Sequence, residues 1–466
     1  MNATATDSRE RPVLPAEVDA GLVEDIAALI DNDQQAMVLN LIADTYPADV
    51  AVMLHHLPRD DARALFGWLS PEVASDVLPE LDDDFRAAIL DVYPADHIRV
   101  LLDDMDSDDA ADVLADLPPE VAETVLSGLE DASEVQELLE YAEDTAGGIM
   151  GTDFVAVPDT LTVGEATEEV RTNAERIEPI FGVYVVDAEG RLVGIASLKS
   201  LLLSRANEPV TSIIEPDVMS VTPEVDQEDV ARLMERYDLV VLPVVDPGGR
   251  LVGRITIDDV VDVIREEAEE DIQRMSGVRN EEVTSSVLQM TRGRLVWLFL
   301  GLIGAFFSAL VINNFGGQIE KAVVLAMFIP VVMAMAGNAG TQSSAIAVQG
   351  LAAGDLWSSD ITRRLSKEVV VALINGLFLA AAVSLLVVLL GATNVITTPH
   401  VARLAITVAL TLVAVIVVAA SIGSTVPLML DRFGIDPALA TGPFITTSND
   451  LIGLIVYFWI ASVIYL

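Results

Sequence analysis

The chain has 466 residues, 72 Asp and Glu against 26 Lys and Arg, a formal net charge of −46, and yet 52% hydrophobic residues. A pI near 4.1 excludes a nucleic-acid binder, which needs a basic face to displace counterions. The absence of cysteine excludes disulfide scaffolds, cysteine-zinc sites and thiol catalysis. The two extremes separate along the chain: residues 1–291 carry 65 acids and 18 bases, residues 292–466 carry 7 and 8. An acidic soluble region therefore precedes a membrane region.

Only Lys199, Lys321 and Lys367 are lysines. An acid-rich, lysine-poor surface is also what solubility in concentrated salt demands, so an argument for cation binding has to rest on local clusters of acids. Residues 1–20 are polar, carry no apolar core of a leader peptide, and read as a flexible N-terminus.

From about Thr45 to Leu129 a twelve-residue unit repeats: Leu57-Pro58-x-Asp60-x-Ala62 returns as Leu69-Ser70-x-Glu72-x-Ala74 and as Leu117-Pro118-x-Glu120-x-Ala122. Each unit offers a Pro, Ser or Asp start and a short apolar helical pattern. A helix that short cannot bury its face alone, so residues 21–145 are expected to stack into an all-α superhelix.

A second repeat, with a spacing of 59 residues, fills 146–264. Val185-Val186-Asp187-x-x-Gly190-Arg191-Leu192-Val193-Gly194 matches Val244-Val245-Asp246-x-x-Gly249-Arg250-Leu251-Val252-Gly253. Each copy reads as strand, turn, strand and helix, preceded by an amphipathic helix over Val163–Thr172 or Gln227–Tyr237. This α/β pattern in tandem resembles a CBS-domain pair. A linking helix is expected over 265–291, and between Asp258 and Asp271 the sequence has eight acids and one base, Arg265. Asp259, Asp262, Glu266 and Glu270 fall on one helical stripe, where like charges repel by about 0.2–0.5 kcal/mol per neighbour.

Within 292–466, apolar runs at about 295–312, 322–350, 368–390, 404–430 and 444–465 are each long enough to cross a bilayer. The second is interrupted by Pro330 and Gly337-Asn338-Ala339-Gly340 and is expected to bend there. With the N-terminal domains cytoplasmic, Arg292, Arg294, Arg363, Arg364, Lys367 and Arg432 lie inside, and Lys321 and Arg403 outside, as the positive-inside rule requires. Asp450, in the last run, follows Thr446-Thr447-Ser448-Asn449. A carboxylate inside a bilayer is costly and usually faces a polar pathway. Oxygen ligands without His or Cys suit a hard divalent cation. No second carboxylate or His is read within the other runs, which disfavours a proton relay.

The stretch Asp436-Pro437-Ala438-Leu439-Ala440-Thr441-Gly442-Pro443-Phe444-Ile445-Thr446-Thr447-Ser448-Asn449-Asp450 resembles the signature of MgtE-type magnesium channels. Phe328-Ile329-Pro330 with Ala336-Gly337-Asn338-Ala339-Gly340-Thr341-Gln342-Ser343 is similar to the second span of that family. The resemblance implies a multi-domain membrane protein with a superhelical N-domain, a tandem CBS pair, a linking helix and five transmembrane helices. It implies a homodimer in the plasma membrane whose pore is lined mainly by the second and fifth spans, with the soluble domains in the cytoplasm. Asp450 becomes the cation-selecting carboxylate, with Asn338, Asp436 and Pro443 as pore lining. Regulatory Mg²⁺ ligands are implied at Glu228, Asp238, Asp259, Asp262, Glu267, Glu270 and Asp271, with Asp108 and Asp112 on the superhelix. High cytosolic Mg²⁺ would then bridge the acidic faces and close the pore.

CBS pairs also hold adenine nucleotides through a Thr or Ser with an Asp three residues on. Thr256-x-x-Asp259 has that form and makes ATP a candidate ligand, whereas Ser197-x-x-Ser200 lacks the Asp. The rival classes are a membrane enzyme, a nucleotide-driven pump, an anion channel, a broader Mn²⁺ or Co²⁺ transporter and a non-transporting Mg²⁺ sensor. The four His make no His-Glu-x-x-His motif, and no Gly-x-x-x-x-Gly-Lys-[Ser/Thr] motif is present. An anion pore would be lined by donors or bases rather than by Asp450.

Overall fold

A computed structural model describes residues 18–174, 176–177, 179–278, 287–354, 356, 361–440 and 442–466, with the backbone alone at Gln289, Ala440 and Pro443. The chain divides into two compact units, residues 1–265 and 266–466.

The first unit begins with helices α1 (Ala20–Asp31) and α2 (Gln35–Ile42), followed by the repeat. Helices α3 (Pro47–His56), α4 (Arg59–Phe66), α5 (Pro71–Val77), α6 (Asp83–Leu90), α7 (Ala95–Leu102), α8 (Ser107–Ala115) and α9 (Pro119–Leu126) start at twelve-residue steps, and α10 (Ala132–Leu138) closes the series. Pro is the first helical residue of α3, α5 and α9, where its missing N–H costs nothing and its fixed φ suits the helix. Alternate helices pack, α3 on α5, α5 on α7 and α7 on α9. The contacts bury Leu54, Leu65, Leu78, Ile89, Ile98, Leu101 and Val113 in one continuous core.

The CBS region follows. Strand β1 (Ala156–Pro158) runs parallel to β2 (Gly182–Val186), which pairs antiparallel with β3 (Leu192–Ser197). The intervening α11 (Val163–Asn173) starts on a capping box made by Thr162 and Glu165. The second copy has α13 (Gln227–Tyr237) and the strands β4 (Val241–Val245) and β5 (Leu251–Thr256), the two strands displaced by 59 residues from β2 and β3. Its first strand is reduced to a bridge between Val221 and Val244. Gly190 and Gly249 both turn their hairpins at φ 81°, a left-handed conformation that glycine adopts without a Cβ penalty. The two turns bond to each other, Leu192 N–H to Gly249 O and Leu251 N–H to Gly190 O. Helix α12 (Leu198–Leu203) follows the first hairpin. Helix α14 (Ile257–Ser276) follows the second and continues without a break across residue 265. It ends at Gly277, φ 72°, so the helix is shorter at its C-terminal end than the expected 265–291; residues 279–286 lie outside the described residues.

The second unit holds five helices long and apolar enough to cross a membrane, spanning Met290–Asn314, Val323–Ala352, Ile361–Ala392, Val401–Arg432 and Phe444–Ile464. They are formed by α15 (Val287–Asn314), a 3-10 turn (Val323–Phe328) leading into α17 (Ile329–Ala352), α18 (Ile361–Ala392), α19 (Val401–Arg432) and α20 (Pro443–Ile464), with the short α16 (Gly316–Lys321) between the first two. The expected interruption of the second span is confined to Pro330. There a 3-10 segment gives way to an α-helix that accepts Pro in its first turn, and the Gly337–Gly340 stretch is regular helix. Small residues serve helix contact rather than bending. A Cβ on Gly340 would overlap the Asn449 side chain of α20 and lie 3.0 Å from Ile445 Cγ2, and Gly423 of α19 meets the Gly340 backbone. Near the opposite end, the buried Tyr457 hydroxyl donates to Leu325 O at 2.7 Å, and Phe315 stacks on Phe458 with centroids 4.9 Å apart.

Candidate functional site

Two groups of candidate residues are separated by the division of the chain. In the membrane unit, Asp450 lies in the second turn of α20 and is half-buried, while its neighbour Asn449 is 2% exposed against α17. Neither polar atom of the Asn449 amide has a partner among the described residues. Asn338 lies on the exposed side of α17, the helix against which α20 packs. Asp436 does not stand as an open wall residue: its Oδ1 accepts the Ala438 N–H at 2.7 Å and its Oδ2 accepts from Arg274 at 2.6 Å. The Pro443 side chain lies outside the described residues.

A further carboxylate, absent from the expectations, lies in the third span. Glu368 is 9% exposed, accepts a 2.5 Å bond from Ser343 Oγ of α17 and pairs with Arg364 at 3.1 Å. It stands at the first position of the apolar run 368–390, and its Ser343 partner lies 25 residues earlier.

In the first unit, α8 brings its N-terminal turn against the second CBS copy. Asp106 is the N-cap of α8 but makes no capping bond. Its carboxylate instead joins Asp108, Asp153, Asp258 and Asp259 around an open cleft, with Arg254 as the base in the lining. Arg254 is 6% exposed and spends Nη1 on Pro179 O at 2.6 Å. Asp153 accepts from the Ser107 N–H at 3.3 Å and has Arg176 3.7 Å away. Asp259 accepts from both the N–H and the hydroxyl of Thr256, at 3.0 and 2.7 Å, and that hydroxyl also contacts Asp258.

Crowding of like charges shows in the acid strengths. Loss of hydration against the surrounding protein wall pushes Asp106 up to about 6, with Asp153 adding to it and Arg254 opposing. Asp108 is raised further, by loss of hydration and then by Asp259, Asp109 and Asp106. Asp109 is pushed to about 7 by loss of hydration and by Asp106 and Asp259. Asp259 is raised by loss of hydration, against the bonds from Thr256. These carboxylates lack enough positive charge nearby, which is the electrostatic condition for taking up a cation or a proton.

The other sensor candidates disperse. Asp112 stands one turn along α8 among Asp83, Asp116 and Glu143, is pushed to about 7 by loss of hydration, and has Arg86 as its opposing charge. Asp262, on the exposed side of α14, contacts Arg265 at 3.5 Å. It also faces Glu80 of the superhelix, whose carboxyl is raised by burial and then by Asp262, with Arg265 opposing. Glu228 pairs with Arg232 at 2.5 Å, and Asp238 ends α13 in the left-handed conformation, φ 53°. Glu267, Glu270 and Asp271 follow along α14, all half-buried. Among the described residues no three acidic or His side chains converge closely enough to enclose a bare ion. The cleft's all-oxygen donors suit a hard cation that keeps part of its water shell.

Comparison with known proteins places the chain. Residues 329–460 match the MgtE family described as a divalent cation transporter, residues 45–144 the MgtE intracellular N domain, and residues 146–207 and 210–266 the CBS domain. The chain is 38% identical over 332 residues to the magnesium transporter MgtE of Enterococcus faecalis (71% of this chain, 72% of the relative). It is 32% identical over 428 residues to that of Bacillus subtilis (91% and 93%). Its soluble part is similar to a crystal structure of the cytosolic domain of the Mg²⁺ channel MgtE in complex with ATP, at 34% identity and a TM-score of 0.49, covering 52% of this chain and 99% of that one. Through their matches to the intracellular N domain of this family and to the CBS domain, the N-terminal and CBS domains are the cytosolic part of a multi-pass membrane protein. By coverage and identity, the chain belongs to the MgtE family of magnesium transporters, which are transport proteins and not enzymes.

Proposed function

We propose that this chain forms a homodimeric, Mg²⁺-selective channel that imports the ion and is closed by cytosolic Mg²⁺. The observation that carries the gating part is the cleft where Asp106, Asp108, Asp153, Asp258 and Asp259 face the Arg254 guanidinium. Such a face is repulsive without a counter-cation and adhesive with one. At low cytosolic Mg²⁺ the superhelix leaves the CBS pair and the linking helices release the pore; at high Mg²⁺ ions at Asp108, Asp112, Asp259 and Asp262, and at Glu228, Asp238, Glu267 and Asp271 on the CBS pair and linking helix, hold the closed arrangement. Moving such an equilibrium from 1:99 to 99:1 takes about 5.5 kcal/mol of differential binding, which several weak sites supply together.

In the pore, two Asp450 carboxylates from two protomers would face one ion. Mg²⁺ gives up its water reluctantly, so the carboxylates hold it through its hydration shell, with Asn338 and Pro443 completing the wall. Reconstituted into liposomes, the wild type should take up Mg²⁺ and Asp450→Ala should reduce uptake at least tenfold. Equal uptake by the variant would contradict the assignment, and no uptake by either would leave the non-transporting sensor as the reading. The same assay with Mn²⁺ and Co²⁺ in place of Mg²⁺ tests the broader selectivity. ATP is proposed as a second ligand at Thr256 and Asp259: the Thr256 hydroxyl donates to Asp259 at 2.7 Å, which leaves oxygens of both side chains to accept from the ribose hydroxyls.

A further inference from the structure

An ion pair joins segments 162 residues apart in the unit of residues 266–466. Arg274, in the last turn of α14, donates from Nη1 to Asp436 Oδ2 at 2.6 Å, and its Nη2 contacts the Glu270 carboxylate one turn earlier. Asp436 is itself fixed, since its other oxygen takes the Ala438 N–H at 2.7 Å at the start of the 3-10 turn Pro437–Ala440. The three side chains are only 24%, 28% and 34% exposed for Arg274, Asp436 and Glu270. Beside the pair the two backbones touch. A Cβ on Gly442 would lie 2.9 Å from the Met275 carbonyl oxygen, and Gly442 is the residue that caps α20, the helix carrying Asp450.

We propose that Arg274 is a positioning residue of the gate: it clamps the end of the linking helix to the loop entering the pore helix, and does so without a divalent ion. This rests on the gating reading above and deepens it. A guanidinium directed at two carboxylates forms charge-assisted bonds to both and fills the space between them. Glu270 and Asp436 are then not free to bridge one Mg²⁺. Within α14, ion sensing then falls to Asp259, Asp262, Glu267 and Asp271, while Arg274 holds Glu270 and Asp436. Arg274 is one of the few bases in the acid-rich helix, and its partner is the acid at which the membrane signature begins.

Hydrogen exchange over residues 270–277 of the full chain in lipid nanodiscs, with Mg²⁺ removed by EDTA, tests the clamp. The wild type should stay protected, and Arg274→Gln should exchange about tenfold faster, the loss expected for a charge-assisted pair. Asp436→Asn should act alike, the double variant no more than either single one, and Arg274→Lys should retain part of the protection. Wild-type amides that need Mg²⁺ for protection, or additive single variants, would overturn the proposal. In flux assays Arg274→Gln should raise the half-closing Mg²⁺ concentration several-fold. If wild-type flux does not respond to cytosolic Mg²⁺ at all, the gating reading fails, and the exchange result still decides the clamp.

Discussion

Asp106, Asp108 and Asp109 occupy the N-cap and first turn of α8, where the helix dipole favours negative charge, yet Asp106 is raised to about 6 and Asp109 to about 7. Crowding against protein and other acids outweighs the dipole. Carboxyls whose pKa is raised by assembly bind protons as the faces come together. Their stabilising contribution is complete below the ordinary value of 3.8 and is lost as pH rises through 6 to 7. Without divalent cations, protease protection of the first unit should therefore increase as pH falls from about 7.5 to about 5.5. Added Mg²⁺ should displace protons near pH 6.5, measurable by calorimetry in buffers of different ionisation enthalpy; binding without proton release would contradict this account of the cleft. In the membrane unit, Gly340→Ala should destabilise by about 1–3 kcal/mol in detergent melts, because the added methyl has to displace Asn449. Glu368→Gln should also lower the melting temperature, since it removes a charge from the bond to Ser343 and from the pair with Arg364. A melt of Glu368→Gln identical to wild type would show that the carboxylate charge carries no weight there.

Among the elements, those with local signals were legible. The start of each superhelix repeat is written in Pro, Ser or Asp at a twelve-residue spacing, and the CBS hairpins in Asp-x-x-Gly at a spacing of 59. Each of these is a backbone demand met within a few residues. What stayed hidden depends on tertiary approach. Asp153 and Asp258 reach the same cleft from segments about a hundred residues apart, and Glu80 meets Asp262 only because the superhelix folds back onto α14. Arg274 meets Glu270 at the i+4 spacing of one helix, but its second partner, Asp436, lies 162 residues further along the chain. The repeat interior is the energetic core of the superhelix. Leu78→Ala, at a fully buried position, should cost about 2–5 kcal/mol, whereas Val73→Ala, at a 39% exposed one, should stay within about 0.5 kcal/mol. Chemical denaturation of residues 18–265 distinguishes the two.

At the scale of the whole molecule, the charge of −46 resolves into a nearly neutral membrane unit and an acidic cytosolic part in which only some acids are poised to act. Aspartates on open surfaces keep the chain soluble. Those in the α8–CBS cleft, and Asp262 opposite Glu80, are held against each other and are the ones whose repulsion a cation would relieve. Bulk salt and specific ions therefore act differently: molar K⁺ screens the whole surface, whereas millimolar Mg²⁺ acts where carboxylates already face each other. The most direct test is flux through the reconstituted protein as Mg²⁺ is raised on the cytosolic face at constant molar KCl, in the wild type and in the double variant Asp108→Asn, Asp259→Asn. Wild-type flux should fall as Mg²⁺ reaches the millimolar range, and the double variant should need several-fold more. Flux that ignores cytosolic Mg²⁺, or that falls equally with KCl alone, would contradict a gate made by ions in the acidic cleft.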